Sequence, residues 1–210
     1  YEICACLVGS EMCIRDRPDV IRNVLSGKLP DINKPIVLDE VKLTKEEIKN
    51  LKRIEIIACG TSLHAAMVAK YILEAFTNIP VDVEASSEYI YRKTVTDANT
   101  LVIGISQSGE TSDTITAIRQ AKSVGSHVLI ITNRPDSIMA REAHSLIPVN
   151  AGIEVSVAAT KSFNAQLIAL YLFAMYIAEI KESFDCEKIK ELKHEMLLLP
   201  QKLETVLSHK

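Results

Sequence analysis

The sequence predicts an α/β fold built on a five-stranded parallel sheet with helices on both faces. Three observations carry that reading. The segments "RIEIIA", "LVIGI" and "HVLII" are almost unbroken Val, Ile and Leu, which suits strands buried on both faces rather than strands with one wet side. Stretches with helical apolar spacing separate them, the alternation expected of βαβ units. Two of the apolar runs also break abruptly into glycine and hydroxyl residues, as strand ends do where they meet a helix start.

In chain order, "PDVIRNVLSGKL" places Pro18 in a first helical turn, with Val20, Ile21, Val24 and Leu25 on one face. "LTKEEIKNLKR" holds Thr44 and Glu47 in the spacing of a capping box. Then come strand "RIEIIAC", helix "TSLHAAMVAKYILEAF", strand "PVDVEAS" and a short helical "SEYIYRK". Strand "TLVIGIS" leads into helix "TSDTITAIRQAKSVG", which Gly125 stops. Strand "HVLIITN", a short helix "SIMAREA", strand "SLIPVN" and a long helix from about Val157 to Ile180 complete the fold. The final "CEKIKELKHEMLLLPQKLETVLSHK" reads as two helical pieces interrupted at Pro200. There is no internal repeat and no low-complexity segment.

At 210 residues the chain is long enough for one domain with a full core. Hydrophobic residues at 48% and charged residues at 24% suit a globular protein, not a disordered one. A net charge of −3 and the absence of Trp argue against a nucleic-acid partner. The longest apolar run, "LIALYLFAMYIA" at 167–178, has 12 residues, whereas a membrane-spanning helix needs about 20. It is expected to be a core or interface helix, buried partly against another domain. The five cysteines have no framework spacing and are read as reduced thiols in a cytoplasmic protein. Residues 1–17, "YEICACLVGSEMCIRDR", carry neither a helical nor a strand pattern, and Arg15 and Arg17 follow the apolar part instead of preceding it as in a signal peptide. Cys4, Cys6 and Cys13 lack a fourth ligand at metal spacing. This stretch is expected to be a cloning or assembly remnant that packs against nothing substantial.

In an open parallel sheet, ligands bind beyond the carboxyl ends of the strands, where the strand order reverses. Cys59-Gly60-Thr61-Ser62 follows one apolar strand, and Ser106-Gln107-Ser108-Gly109-Glu110-Thr111 follows another. Glycine allows close backbone approach, and a helix start offers free N–H groups and a partial positive charge, so such ends suit a phosphate. Each hydroxyl taken alone reads first as an N-cap. One helix needs only one cap, however, and Ser106, Ser108 and Thr111 are three. Neither a P-loop nor a GxGxxG fingerprint is present, so the expected ligand is a small phosphorylated molecule rather than a nucleotide, with no cofactor and no metal. In "NAGIEVSVAATKSF", Glu154 could serve as a base near a sugar carbonyl and Lys161 could meet a phosphate; each also reads as an ordinary solvated charge. His64 reads as packing or surface.

Together, "ACGTS", "SQSGETSDT" and "AGIEVSVAATKSF", with "SEYIYRK" between the first two, resemble the first sugar isomerase (SIS) domain of the glutamine–fructose-6-phosphate aminotransferase (glucosamine-6-phosphate synthase) family, from Pro18 to the C-terminus. The resemblance implies a flavodoxin-like three-layer sandwich that binds fructose 6-phosphate or glucosamine 6-phosphate. It implies that Ser106, Gln107, Ser108 and Thr111 form the phosphate loop, with Gly109 and Gly60 as supporting backbone. Thr61 and Ser62 would contact the sugar, with the backbone of Val157 beside it. The implied layout is a tail at 1–17, a helical lead-in at 18–44, the SIS domain at 45–182 and a helical connector at 183–210. The family's glutaminase domain and second, catalytic SIS domain have no counterpart here, so this chain is expected to grip a hexose phosphate without turning it over, and to form a homodimer. A stand-alone sugar-phosphate sensor and an aldose–ketose isomerase using Glu154 are the alternative readings.

Overall fold

Successive side chains of a strand point to opposite faces, and the core of this protein divides accordingly. The computed structural model describes residues 2–93, 95–155 and 159–208, with side chains from residue 9 onward. Five strands form one parallel sheet: β1 (Arg53–Ala58), β2 (Val81–Ala85), β3 (Thr100–Ser106), β4 (His127–Thr132) and β5 (Ser145–Pro148). The helices are α1 (Glu2–Arg15), α2 (Arg17–Leu25), α3 (Lys45–Asn50), α4 (Gly60–Thr77), α5 (Ser86–Tyr89), α6 (Ser112–Ser123), α7 (Ile138–Glu142), α8 (Lys161–Lys181) and α9 (Cys186–Ser208). Strand order is β2-β1-β3-β4-β5.

On one face, Ile54, Ile56, Leu101, Ile103, Ile105, Leu129 and Ile131 pack with α2, α4 and α8. On the other, Ile57, Val102, Val128 and Ile130 pack with Tyr89 of α5, Ile115 and Ile118 of α6 and Met139 of α7. Each fully buried aliphatic or aromatic side chain contributes about 1.5–3 kcal/mol, so both helical layers are needed to keep the sheet dry. Thr44 and Glu47 form the expected capping box at α3, with Glu47 N donating to Thr44 Oγ1 at 3.2 Å and Thr44 N to Glu47 Oε2 at 2.7 Å.

Four expectations change. Residues 2–15 are helical instead of irregular: Glu11 and Arg15 pair one turn apart, which supports the helix, and Cys13 is fully buried. The lead-in at 18–44 is helical only through Leu25; beyond it an irregular path buries Leu29, Ile36, Leu38, Val41 and Leu43, which show no helical period. The C-terminal segment is one helix, α9, running through Pro200. Proline keeps helical φ and forfeits one hydrogen bond, and Pro200 is buried in the structure, which offsets that loss. Finally, α8 is long and apolar enough to cross a membrane, yet its run Ile168, Leu170, Leu172, Phe173, Met175 and Ile177 is buried by this chain's own α2, α3, α4 and β4. Leu167, Tyr171, Tyr176 and Ile180 on the same helix are only partly buried.

At the amino end of the sheet, Lys42 N donates to Ser145 Oγ at 2.8 Å, and Ser145 Oγ meets His127 Nε2 at 2.8 Å. Val128 N donates to His144 Nδ1 at 2.9 Å, and the two rings lie 5.0 Å apart. Burial, then the neighbouring His144, push His127 down to about 4, against a weaker pull from Glu47. The unfolded chain, with a histidine near pH 6.5, therefore binds the proton first. Stability from neutral His127 is complete above about pH 6.5 and is lost as pH falls towards 4, by about 2 kcal/mol once the roughly 3 kcal/mol of the full shift is reduced for the ring's partial exposure to solvent. Melting curves across that range should show this loss, and His127→Gln should reduce it; an unchanged pH slope in the variant would refute it.

Candidate functional site

The strand order turns at β1 and β3, which lie side by side while the chain leaves them in opposite directions, to β2 and to β4. Helix α4 covers one face and α6 the other, so the two connections diverge and leave a crevice at the carboxyl ends of β1 and β3. Both glycine–hydroxyl segments lie at this crevice.

Beyond β3, Ser106 is buried, and its Oγ accepts from Gly109 N at 3.0 Å and meets Thr111 Oγ1 at 3.0 Å. Ser108 Oγ accepts from Glu110 N at 3.2 Å. Thr111 occupies the N-cap of α6 without a side-chain capping bond. The three hydroxyls are thus gathered ahead of the α6 N-terminus, and none acts as its cap.

Gly109 has φ +67, and a Cβ there would sit 2.1 Å from Ser137 Oγ. Its carbonyl accepts from Met139 N at 3.1 Å, and Glu110 Oε1 accepts from Ile138 N at 2.9 Å, so the loop is bound to the first turn of α7. Gly109→Ala is expected to cost about 2–4 kcal/mol, from the left-handed backbone and from overpacking. Thermal melting checks this; a loss under 0.5 kcal/mol would mean the loop reshapes freely.

Beyond β1, Gly60 has φ +56 and opens α4. Thr61 is half-buried, while Ser62 is buried with its Oγ accepting from Gln166 Nε2 at 2.9 Å. His64 is exposed.

A third loop follows β4. Asn133 Nδ2 donates to Gly152 O at 2.7 Å and its Oδ1 accepts from Ala151 N at 2.6 Å, clasping the 150–152 turn. Gln107 O accepts from Asn133 N at 3.3 Å, joining this loop to that of β3. Together they enclose a cavity of about 650 Å³ whose lining includes Gln107, Ser108, Asn133, Arg134, Ser137 and Glu154. Arg134, the cation in that lining, is paired with Asp136 at 3.0 Å. The cavity wall also carries Glu110 and Asp136, so the groups here suited to meet an anion are hydroxyls, backbone N–H groups and the α6 N-terminus.

Glu154 accepts from Ser162 N at 2.9 Å, Ser162 Oγ at 2.7 Å and Thr160 N at 3.3 Å, so it caps α8 from the preceding loop. Burial raises its pKa, but these hydrogen bonds from Ser162 and Thr160, with Cys13, hold it below the usual carboxylate range. Lys161 is buried and pairs with Asp16 at 2.7 Å.

The structure therefore brings Gln107 and Ser108 to the cavity wall, while Ser106 and Thr111 do not line it and are bonded to each other within the same loop. Thr61 and Ser62 lie at the neighbouring strand end and do not line this cavity. Val157 lies outside the described residues. Sequence reasoning missed Asn133, Arg134 and Ser137; the apolar run "HVLIIT" ending in "NRPDS" carries the same strand-end signal as the other two.

The glutamine–fructose-6-phosphate aminotransferase (isomerizing) of Clostridium acetobutylicum is 43% identical over 197 residues, covering 94% of this chain and 32% of that protein. The Methanosarcina mazei protein of the same name is 40% identical over the same span. The chain spans about a third of the length of these curated relatives. Among solved structures, the C-terminal domain of glucosamine-fructose-6-phosphate aminotransferase from Francisella tularensis superposes with a TM-score of 0.85 at 36% identity, covering 92% of this chain and 54% of that one. A protein-family model described as the SIS domain matches residues 47–176, from α3 into α8 and across all five strands. This chain belongs to the SIS domain family.

Proposed function

We propose that the chain binds a hexose 6-phosphate, fructose 6-phosphate or glucosamine 6-phosphate, at the β1–β3 crevice. It would do so as the sugar-binding half of the isomerase region of a glutamine–fructose-6-phosphate aminotransferase, the cytoplasmic transferase that makes glucosamine 6-phosphate for amino-sugar biosynthesis. The observation that carries this is the cluster Ser106, Ser108 and Thr111, whose hydroxyls stand before the α6 N-terminus without capping it. Serine and threonine hydroxyls there can each give a proton to a phosphate oxygen, while the helix start contributes unpaired N–H groups. Gln107 extends the grip, Gly109 and Gly60 let the backbone come close, and Thr61, Ser62 and the Val157 backbone hold the sugar. This chain's part is to bind and orient. The glutaminase domain and the second SIS domain of the whole enzyme would supply ammonia and acid–base chemistry.

An aldose–ketose isomerase with Glu154 as base is disfavoured by the four hydrogen bonds from Thr160 and Ser162 that commit this carboxylate to the start of α8. A homodimer belongs to the same proposal, and Met67, Val68 and Tyr71 on α4 offer it exposed apolar surface. A chain that stays monomeric in concentrated solution by sedimentation would count against the dimer.

Calorimetric titration tests the binding. Fructose 6-phosphate should bind, inorganic phosphate should bind more weakly, and fructose should compete poorly. Equal binding of fructose and fructose 6-phosphate, or no binding of either, would overturn the proposal.

A further inference from the structure

Helices α4 and α8 pack closely, and among the described residues one side-chain hydrogen bond joins them. Gln166, on the second turn of α8, is 1% exposed and lies among Ala165, Ala169 and Leu170, which are fully buried. Its Nε2 donates to Ser62 Oγ, and its Oε1 has no hydrogen-bond partner. A buried amide oxygen left without a donor is unfavourable, and an apolar side chain of similar length would serve packing better. Stability does not explain a glutamine here.

Its partner suggests what does. Ser62 sits in the first turn of α4, two residues past Gly60, at the end of β1. A serine hydroxyl has one proton and two lone pairs. With one lone pair taken by Gln166, Ser62 is held as an acceptor on the α8 side and keeps its proton for another group.

We infer that Gln166 is a positioning residue for the sugar end of the crevice: it orients Ser62 to donate to a ligand oxygen, and its own Oε1 accepts from a ligand hydroxyl or from water held with the ligand. This rests on the hexose-phosphate reading above. It assigns Gln166 to recognition of the polyhydroxylated part of the ligand, while the loop at 106–111 reads the phosphate.

The test is calorimetry on the intact chain and on Gln166→Met, Gln166→Leu and Ser62→Ala, titrated with fructose 6-phosphate and separately with inorganic phosphate, beside melting curves. Each Gln166 variant should weaken fructose 6-phosphate about tenfold, leave inorganic phosphate unchanged and melt no lower than the parent. Adding Gln166→Met to Ser62→Ala should weaken binding by less than the product of the two separate effects. Unchanged affinity for fructose 6-phosphate in both Gln166 variants overturns the inference. So does a parallel loss for both ligands with a lowered melting point, because that marks a structural role. If the parent chain binds neither ligand, the hexose-phosphate reading fails and this inference falls with it, a result visible before any variant is made.

Discussion

Ser106→Ala, Ser108→Ala and Thr111→Ala should each raise the Kd for fructose 6-phosphate tenfold to a hundredfold. A hydrogen bond to a charged group is worth roughly 1.5–3 kcal/mol, and that is what each substitution removes. Their stability effects should differ. Ser106 Oγ accepts from Gly109 N and Ser108 Oγ from Glu110 N, so both variants leave a loop N–H without its acceptor, at about 1 kcal/mol. Thr111 makes no capping bond, and its Oγ1 meets Ser106 Oγ, so Thr111→Ala should lose affinity with a smaller stability cost. Calorimetry beside melting curves separates the two effects. Unchanged affinity across all three would remove the phosphate loop from this protein.

Lys193→Met should destabilise the fold by about 3 kcal/mol and lower Tm by roughly 6–12 °C. Lys193 is buried on α9; its Nζ donates to Lys34 O at 2.8 Å and pairs with Glu179 of α8. Glu179 Oε2 also accepts from Ile36 N at 3.2 Å. One ammonium and one carboxylate thus bind α9, α8 and the 34–36 stretch together. Removing the cation leaves a partly buried carboxylate and a backbone carbonyl without their donor. Replacing both partners, Lys193→Met with Glu179→Leu, should recover part of the loss, since the pair's desolvation cost disappears with it. A single-variant loss under 1 kcal/mol, by denaturant titration, would show that water already serves these groups.

The sheet was legible because burial on both faces leaves a compositional mark: "TLVIGIS" coincides with β3 from Thr100 to Ser106. The capping box at Thr44 and Glu47 was legible because it is wholly local. Features that depend on a distant partner were not. Gln166 and Ser62 are 104 residues apart, and nothing inside an apolar helix marks one amide as bonded to the start of another. Ile36, Leu38, Val41 and Leu43 enter the core without helical or strand periodicity, held by what they pack on. Pro200 reads as a break until its burial is known. Asn133 reads as a turn residue, while its clasp on residues 151–152 exists only once β4 and β5 pair.

The pairing of β1 with β3 has a kinetic consequence. It aligns Arg53 with Thr100, whereas β2 and its helix intervene in sequence. During synthesis β1 can pair with β2 before β3 has emerged, because the amino-terminal part of a chain is available to fold first. The crevice comes into being only when β3 docks on the exposed edge of β1, a long-range closure that topology makes slow. Up to that moment the glycine and hydroxyls at the β1 end face an unpaired strand edge and have no partner loop with which to hold an anion. A hexose phosphate would therefore act on the finished sheet, slowing its opening by mass action, and would do little to speed the steps that build it.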